Sequence, residues 1–110
     1  MKFELFKGSN DKVYFRLKAR NGQVVLSSQG YSSKAAAKNG VESVQKNCND
    51  DSCYEIKESK NGKPYFSLLA ANKQVIGSSQ MYASMSSLRS GIAAVKKAAD
   101  GATVVDLTAE

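Results

Sequence analysis

Val13, Phe15, Leu17 and Ala19 alternate with Tyr14, Arg16, Lys18 and Arg20. A period of two predicts a half-buried β-strand whose polar side faces solvent. Phe3–Lys7 alternates more weakly and ends at Gly8-Ser9-Asn10-Asp11, a turn cluster. Asn21-Gly22 follows the second strand and predicts a two-residue hairpin turn with both residues at positive φ. Gln23–Ser28 then reads as a third strand. Further along, the period changes. Leu88, Ile92, Val95 and Ala99 fall on one face of a helix, as do Ala37, Val41, Val44 and Cys48 earlier in the chain. Ser33 and Ser84 precede these runs and are the expected N-caps, with hydroxyls that accept from free first-turn N–H groups.

The two helices belong to two copies of one unit. Residues 3–48 align on 54–99 at a constant offset of 51, with about 18 of the 46 positions identical. Ser27-Ser28-Gln29-x-Tyr31 returns as Ser78-Ser79-Gln80-x-Tyr82, and Gly40 returns as Gly91. A mid-helix glycine disfavours the helix by about 1 kcal/mol relative to alanine, so two of them predict close approach to the sheet. In the second copy Pro64 opens a strand, where a missing N–H is tolerated. The register runs on: Val105-Asp106-Leu107 falls on Phe3-Glu4-Leu5 and predicts a remnant strand over 103–108.

Each copy therefore reads as βββα, with repeat one over 3–48, a linker over 49–53 and repeat two over 54–99. A three-stranded unit is marginal alone, so the expected fold is one α+β domain over 1–110. In it the two βββα repeats form a pseudo-dimer with one antiparallel sheet and both helices on one face. The C-terminal strand completes the sheet. The expected state is a monomer.

These residues resemble the YegP-like family of small bacterial proteins. The resemblance rests on the strand pattern, the Asn-Gly turn, the S-S-Q-x-Y motif and the glycine-bearing helix, and covers residues 3–99. It implies a single sheet made by two copies with exchange of terminal strands. The family has no established biochemical function, so the resemblance supplies no catalytic residue.

Composition narrows function by exclusion. At 110 residues, 42% hydrophobic and 24% charged, the chain is that of an ordinary globular domain. No segment is apolar and long enough to span a membrane, and no apolar leader opens the chain, which predicts a cytoplasmic protein. Histidine is absent, which removes Ser-His-Asp and Cys-His catalysis and the commonest metal ligand. Cys48 and Cys53 cannot complete a four-ligand zinc site, and they read as structural thiols. Glu4, Glu55 and Asp106 would raise one another's pKa if strands brought them together, a remote route to acid–base chemistry. No phosphate-loop or dinucleotide motif is present. No enzyme, cofactor or metal is expected.

Charge supplies the one positive signal. The net charge is +6. Repeat one carries eight Lys and Arg against three acids, repeat two seven against two, and the remainder is acidic. Tyr14, Arg16, Lys18 and Arg20 on the outer sheet face, with Tyr65 in the second copy, form a candidate ligand or nucleic-acid contact, because aromatics beside cations can stack bases and hold phosphates. Ser67, Leu69 and Ala71 oppose those cations in the second copy, so the ladder is one-sided, and Leu69 predicts a small apolar patch there. The reading is a non-catalytic interaction module that meets a protein partner or a polyanion. The alternative is weak, salt-dependent nucleic-acid binding on the basic face.

Overall fold

The structure, a computed structural model, describes residues 1–108; Glu110, counted above in the acidic remainder, lies outside them. The chain runs β1 (Lys2–Lys7), β2 (Val13–Lys18), β3 (Val24–Ser28), α1 (Lys34–Asn47), a 3-10 turn (Asp51–Cys53), β4 (Tyr54–Glu58), β5 (Pro64–Leu69), β6 (Val75–Ser78), α2 (Met85–Ala99) and β7 (Thr103–Asp106). All seven strands form one mixed sheet in the order β4-β5-β6-β3-β2-β1-β7.

Four turns of one kind fold the hairpins. At 8–12, 19–23, 59–63 and 70–74 the first N–H donates to the fifth carbonyl and the fourth N–H to the first. The fourth residue is left-handed in each: Asp11 (φ 62°), Gly22 (φ 83°), Gly62 (φ 82°) and Lys73 (φ 72°). The expected two-residue turn at Asn21-Gly22 is thus a three-residue loop, and only Gly22 has positive φ. Asparagine stands third in all four turns. Asn10, Asn21 and Asn72 accept from the N–H two residues on, which holds the turn without needing left-handed asparagine.

One face of the sheet carries Phe3, Leu5, Phe15, Leu17, Leu26, Phe66 and Leu68, all fully buried. Both helices pack on that face, and their buried residues join the same core. Ser33 Oγ accepts from Ala36 N–H and Ser84 Oγ from Ser87 N–H, as the caps predicted. Ala37, Val41, Val44 and Cys48 are buried, as are Leu88, Val95 and Ala99. Each helix also reaches the other repeat's strands: α1 touches β6, and α2 touches β1, β2 and β3. The close approach at the helical glycines is to tyrosine. A Cβ on Gly40 would lie 2.5 Å from Tyr31 Oη and 2.8 Å from Phe15 Cε2, and one on Gly91 would strike Tyr82 Oη. Tyr31 and Tyr82 stack on Phe15 and Phe66 at 6.1 and 6.2 Å.

The cysteines are free and buried. Cys48 takes the place that Ala99 holds in the second copy, and burial pushes its thiol up, away from thiolate reactivity. Tyr54 Oη donates to Cys48 O at 2.7 Å and ties the linker to the end of α1.

The C-terminal strand corrects the expected all-antiparallel sheet. β7 runs parallel to β1. After α1 the chain enters β4 beside β5; after α2 it enters β7 with the same sense relative to its own repeat. The equivalent slot beside β2 is already filled by β1, so β7 lands outside β1 and runs with it. Its register is also one residue from the alignment: Phe3 pairs with Val104, Glu4 with Val105 and Leu5 with Asp106. Asp106 therefore faces the helices, where Lys34 Nζ meets its carboxylate at 2.7 Å.

Candidate functional site: the central seam of the open sheet face

The face away from the helices carries a transverse row that crosses all seven strands. It runs Val105, Glu4, Arg16, Ser27, Ser78, Ser67, Glu55. Residues equidistant from its middle are 51 apart in sequence: Ser27 and Ser78, Arg16 and Ser67, Glu4 and Glu55. The two repeats meet at the centre, where β3 and β6 pair only through Ser27 with Ser78 and Ser28 with Gly77.

Arg16 and Lys18 lie on this face as the alternation predicts, but their charge is engaged. Glu4 is 5% exposed and takes Arg16 Nε at 2.6 Å, Lys18 Nζ at 3.3 Å and Lys2 Nζ at 3.3 Å. The Arg16 bond foremost, aided by Lys18 and Lys2 and opposed by burial, holds the carboxyl at about 2. Arg16 also lies 4.6 Å over the Phe6 ring, a cation–π contact. Phe6 in turn stacks on Tyr14 at 5.7 Å. Tyr14 Oη accepts from Asn10 Nδ2, and its ring packs closely against Gly8 and Gly30. Tyr14 is therefore a packed ring with one face already taken.

Arg20 and Tyr65 do not join the others. A register shift between Leu17 and Lys18 ends β2, and Arg20 falls in the hairpin turn. There it lines a cavity of about 290 Å³ with Ala94, Lys97 and Ala98 of α2. Tyr65 lies beside Met81 in a separate hollow. β2 and β5 run antiparallel with two strands between them, so Tyr14 and Tyr65 sit at opposite ends and at least about 14 Å apart. Leu69 makes no exposed patch: it is 8% exposed. The three acids also stay apart. Glu4 and Glu55 are five strand intervals apart, about 24 Å, and Asp106 is on the helix side.

The S-S-Q-x-Y motif divides its work. Ser28 Oγ accepts from Phe15 N–H at 2.9 Å and donates to Gln29 O at 2.8 Å. Ser79 Oγ does the same with Phe66 N–H at 3.0 Å and Gln80 O at 2.7 Å. The second serine thus closes the backbone where strand gives way to loop, which the sequence favours as its duty. The tyrosine packs on the core. Ser27, Gln29 and Gln80 remain, exposed to solvent. They edge a groove of about 520 Å³ lined by five pairs of equivalent positions: Val24 and Val75, Leu26 and Gly77, Ser27 and Ser78, Ser28 and Ser79, Gln29 and Gln80. Its volume is within the range of ligand clefts, roughly 300–1,000 Å³. Sequence reasoning named the motif but not this groove, because no periodicity shows which strands meet at the seam.

Comparison with known proteins agrees with this architecture. A domain of unknown function, DUF1508, matches residues 9–55 and 59–106. Each matched segment starts just before a second strand and ends in the strand after a helix. The first matched segment ends inside β4, and β4 pairs with β5 of the second. A UPF0339 protein of Acinetobacter baylyi is 51% identical over 106 residues, 96% of each chain. The UPF0339 protein YegP of Escherichia coli K12 is 49% identical, with the same coverage. The solution structure of the Escherichia coli protein, described as of unknown function, superposes with a TM-score of 0.93 at 48% identity over 99% of this chain and 94% of that one. That of a Shewanella oneidensis UPF0339 protein superposes at 0.91 with 48% identity, over 97% and 91%. With both repeats matched and half the residues shared with full-length relatives, the chain belongs to the DUF1508 family, the UPF0339 proteins that include YegP.

Proposed function

We propose that this protein is a non-catalytic binding module, an internal pseudo-dimer that works through its open sheet face at the seam between the repeats. The observation that carries this is the seam groove, edged by exposed Ser27, Gln29 and Gln80 while the equivalent inner serines are committed to backbone. Exposed polar side chains gathered in a concave site are available to a ligand, although Gln80 also bonds Tyr82. The groove has no histidine or thiol, and its hydroxyls have no neighbouring base to activate them, which suits recognition rather than turnover. The two free thiols suit a reducing compartment, and a cytoplasmic location is part of this reading.

Nucleic-acid recognition has less behind it. Glu4 neutralises part of the cationic ladder, and Tyr14 is stacked under Phe6. An amide-resolved NMR titration separates the two. Small uncharged and anionic probes should shift Ser27, Gln29, Ser78 and Gln80 together. Shifts that leave the seam untouched would overturn the proposal. Single-stranded and duplex oligonucleotides should shift only the region of Lys2, Arg16 and Lys18, and the effect should fade at physiological salt.

A further inference from the structure

The geometry points to an extended acidic peptide segment of a partner protein as the occupant of the seam groove; this inference rests on the binding-module reading and names its ligand. The groove is lined by both strands of the seam. It follows Val24–Gln29 on one side and Val75–Gln80, running the other way, on the other. Six residues of strand extend about 20 Å, the reach of a short peptide laid parallel to the seam. The ladder between β3 and β6 covers only two residue pairs before the chains part. They part because Ser28 and Ser79 turn to close on β2 and β5.

The chemistry of the walls fits a peptide main chain. Gln29 presents one carbonyl acceptor and two N–H donors, and Gln80 the part of the same set that its bond to Tyr82 leaves, a match for the alternating groups of an extended backbone. The valines at the two ends offer apolar seats for alternate side chains.

Charge then sets the character of those side chains. On the repeat-one flank three cations surround one carboxylate, Glu4, and leave an excess of about two positive charges. The opposite flank has Ser67 and Leu69 at the equivalent positions, both buried and uncharged. An acidic residue directed to the first flank meets a complementary field, and a basic one meets repulsion. A nucleic-acid strand would find the cations but no open aromatic platform at the seam.

The test uses the whole chain, labelled for NMR, with an eight-residue peptide of alternating glutamate and valine, its lysine–valine counterpart and an oligothymidylate. The acidic peptide should shift Ser27, Gln29, Ser78 and Gln80 with saturable binding, and the basic peptide should bind at least about tenfold more weakly. Gln29→Ala with Gln80→Ala, both exposed positions, should weaken the acidic peptide about tenfold and leave the melting temperature unchanged. Equal binding of both peptides, or seam shifts with oligothymidylate matching those of the acidic peptide, would overturn the inference. So would insensitivity to the double variant. If small probes still shift the seam while no peptide does, the peptide inference fails and the binding-module reading stands. If nothing shifts the seam, both fail.

Discussion

Equivalent residues in the two copies have divergent duties, and Glu4 shows how. Its carboxyl titrates at about 2 in the fold, against 4.5 as the ordinary value, because Arg16 first and then Lys18 and Lys2 bond its charged form. A depressed carboxyl contributes stability that is complete above about pH 4.5 and is lost as pH falls through 2. Glu4→Gln should therefore melt lower than the parent at neutral pH, and the two melting curves should converge between pH 4.5 and 2. Among the described residues Glu55, its counterpart, pairs only with Lys57, at 3.2 Å, and is half exposed. Glu55→Gln removes one exposed ion pair and should lower the melting temperature at neutral pH less than Glu4→Gln does, so the pair of variants tests the assignment to one carboxylate.

The inner serines are the opposite case, with one duty in both copies. Ser28→Ala and Ser79→Ala should each lower stability by about 1–3 kcal/mol, measured by denaturant titration, since each strands a strand N–H at the edge of the core. The helical glycines extend the same logic. Gly40→Ala should destabilise by about 1–3 kcal/mol through overpacking against Tyr31 and Phe15. In a Tyr31→Ala background that loss should shrink, and an additive double-mutant cycle would show that the tyrosine is not the obstacle.

At the scale of elements, β7 is the part whose placement depends on everything before it. Its four residues add a parallel edge to β1 and bring Asp106 to Lys34 near the start of α1. Thr108 closes that end, where its N–H donates to Asp106 Oδ1 at 2.8 Å. Truncation after Ala102 should uncover β1 as an edge strand. The shortened chain should melt lower and self-associate with rising concentration, read by calorimetry and sedimentation. A monomer of unchanged melting temperature would show that β7 contributes little.

For the whole molecule, the helices rather than the strands join the halves. β3 and β6 share two residue pairs, whereas α2 rests on three strands of the other repeat. Each half's sheet face is covered in part by the other half's helix, and a chain of about 50 residues buries so small a share of its surface that it is marginal alone. Residues 1–53 and 54–110 made separately should lack the amide dispersion of a folded domain, and an equimolar mixture should recover it. A half that folds by itself would contradict a core shared across the seam.

The amino-acid sequence by itself determined the units of this protein. Strand alternation, four asparagine-bearing turns, serine caps and helical stripes are local patterns, and backbone geometry reads them within a few residues. The offset of 51 carried each from one copy to the other. Tertiary structure alone decided what meets across the chain. The parallel course of β7 followed from a slot that β1 already filled. The capture of Arg16 and Lys18 by Glu4 needed the β1–β2 register, which turned a basic ladder into a part-neutralised cluster. The end of β2 at Lys18 put Arg20 in a turn, and two intervening strands separated Tyr14 from Tyr65. The seam groove arose where two copies of one motif face each other. Such long-range pairings depend on which surfaces the folded chain has left free, and no local pattern encodes that.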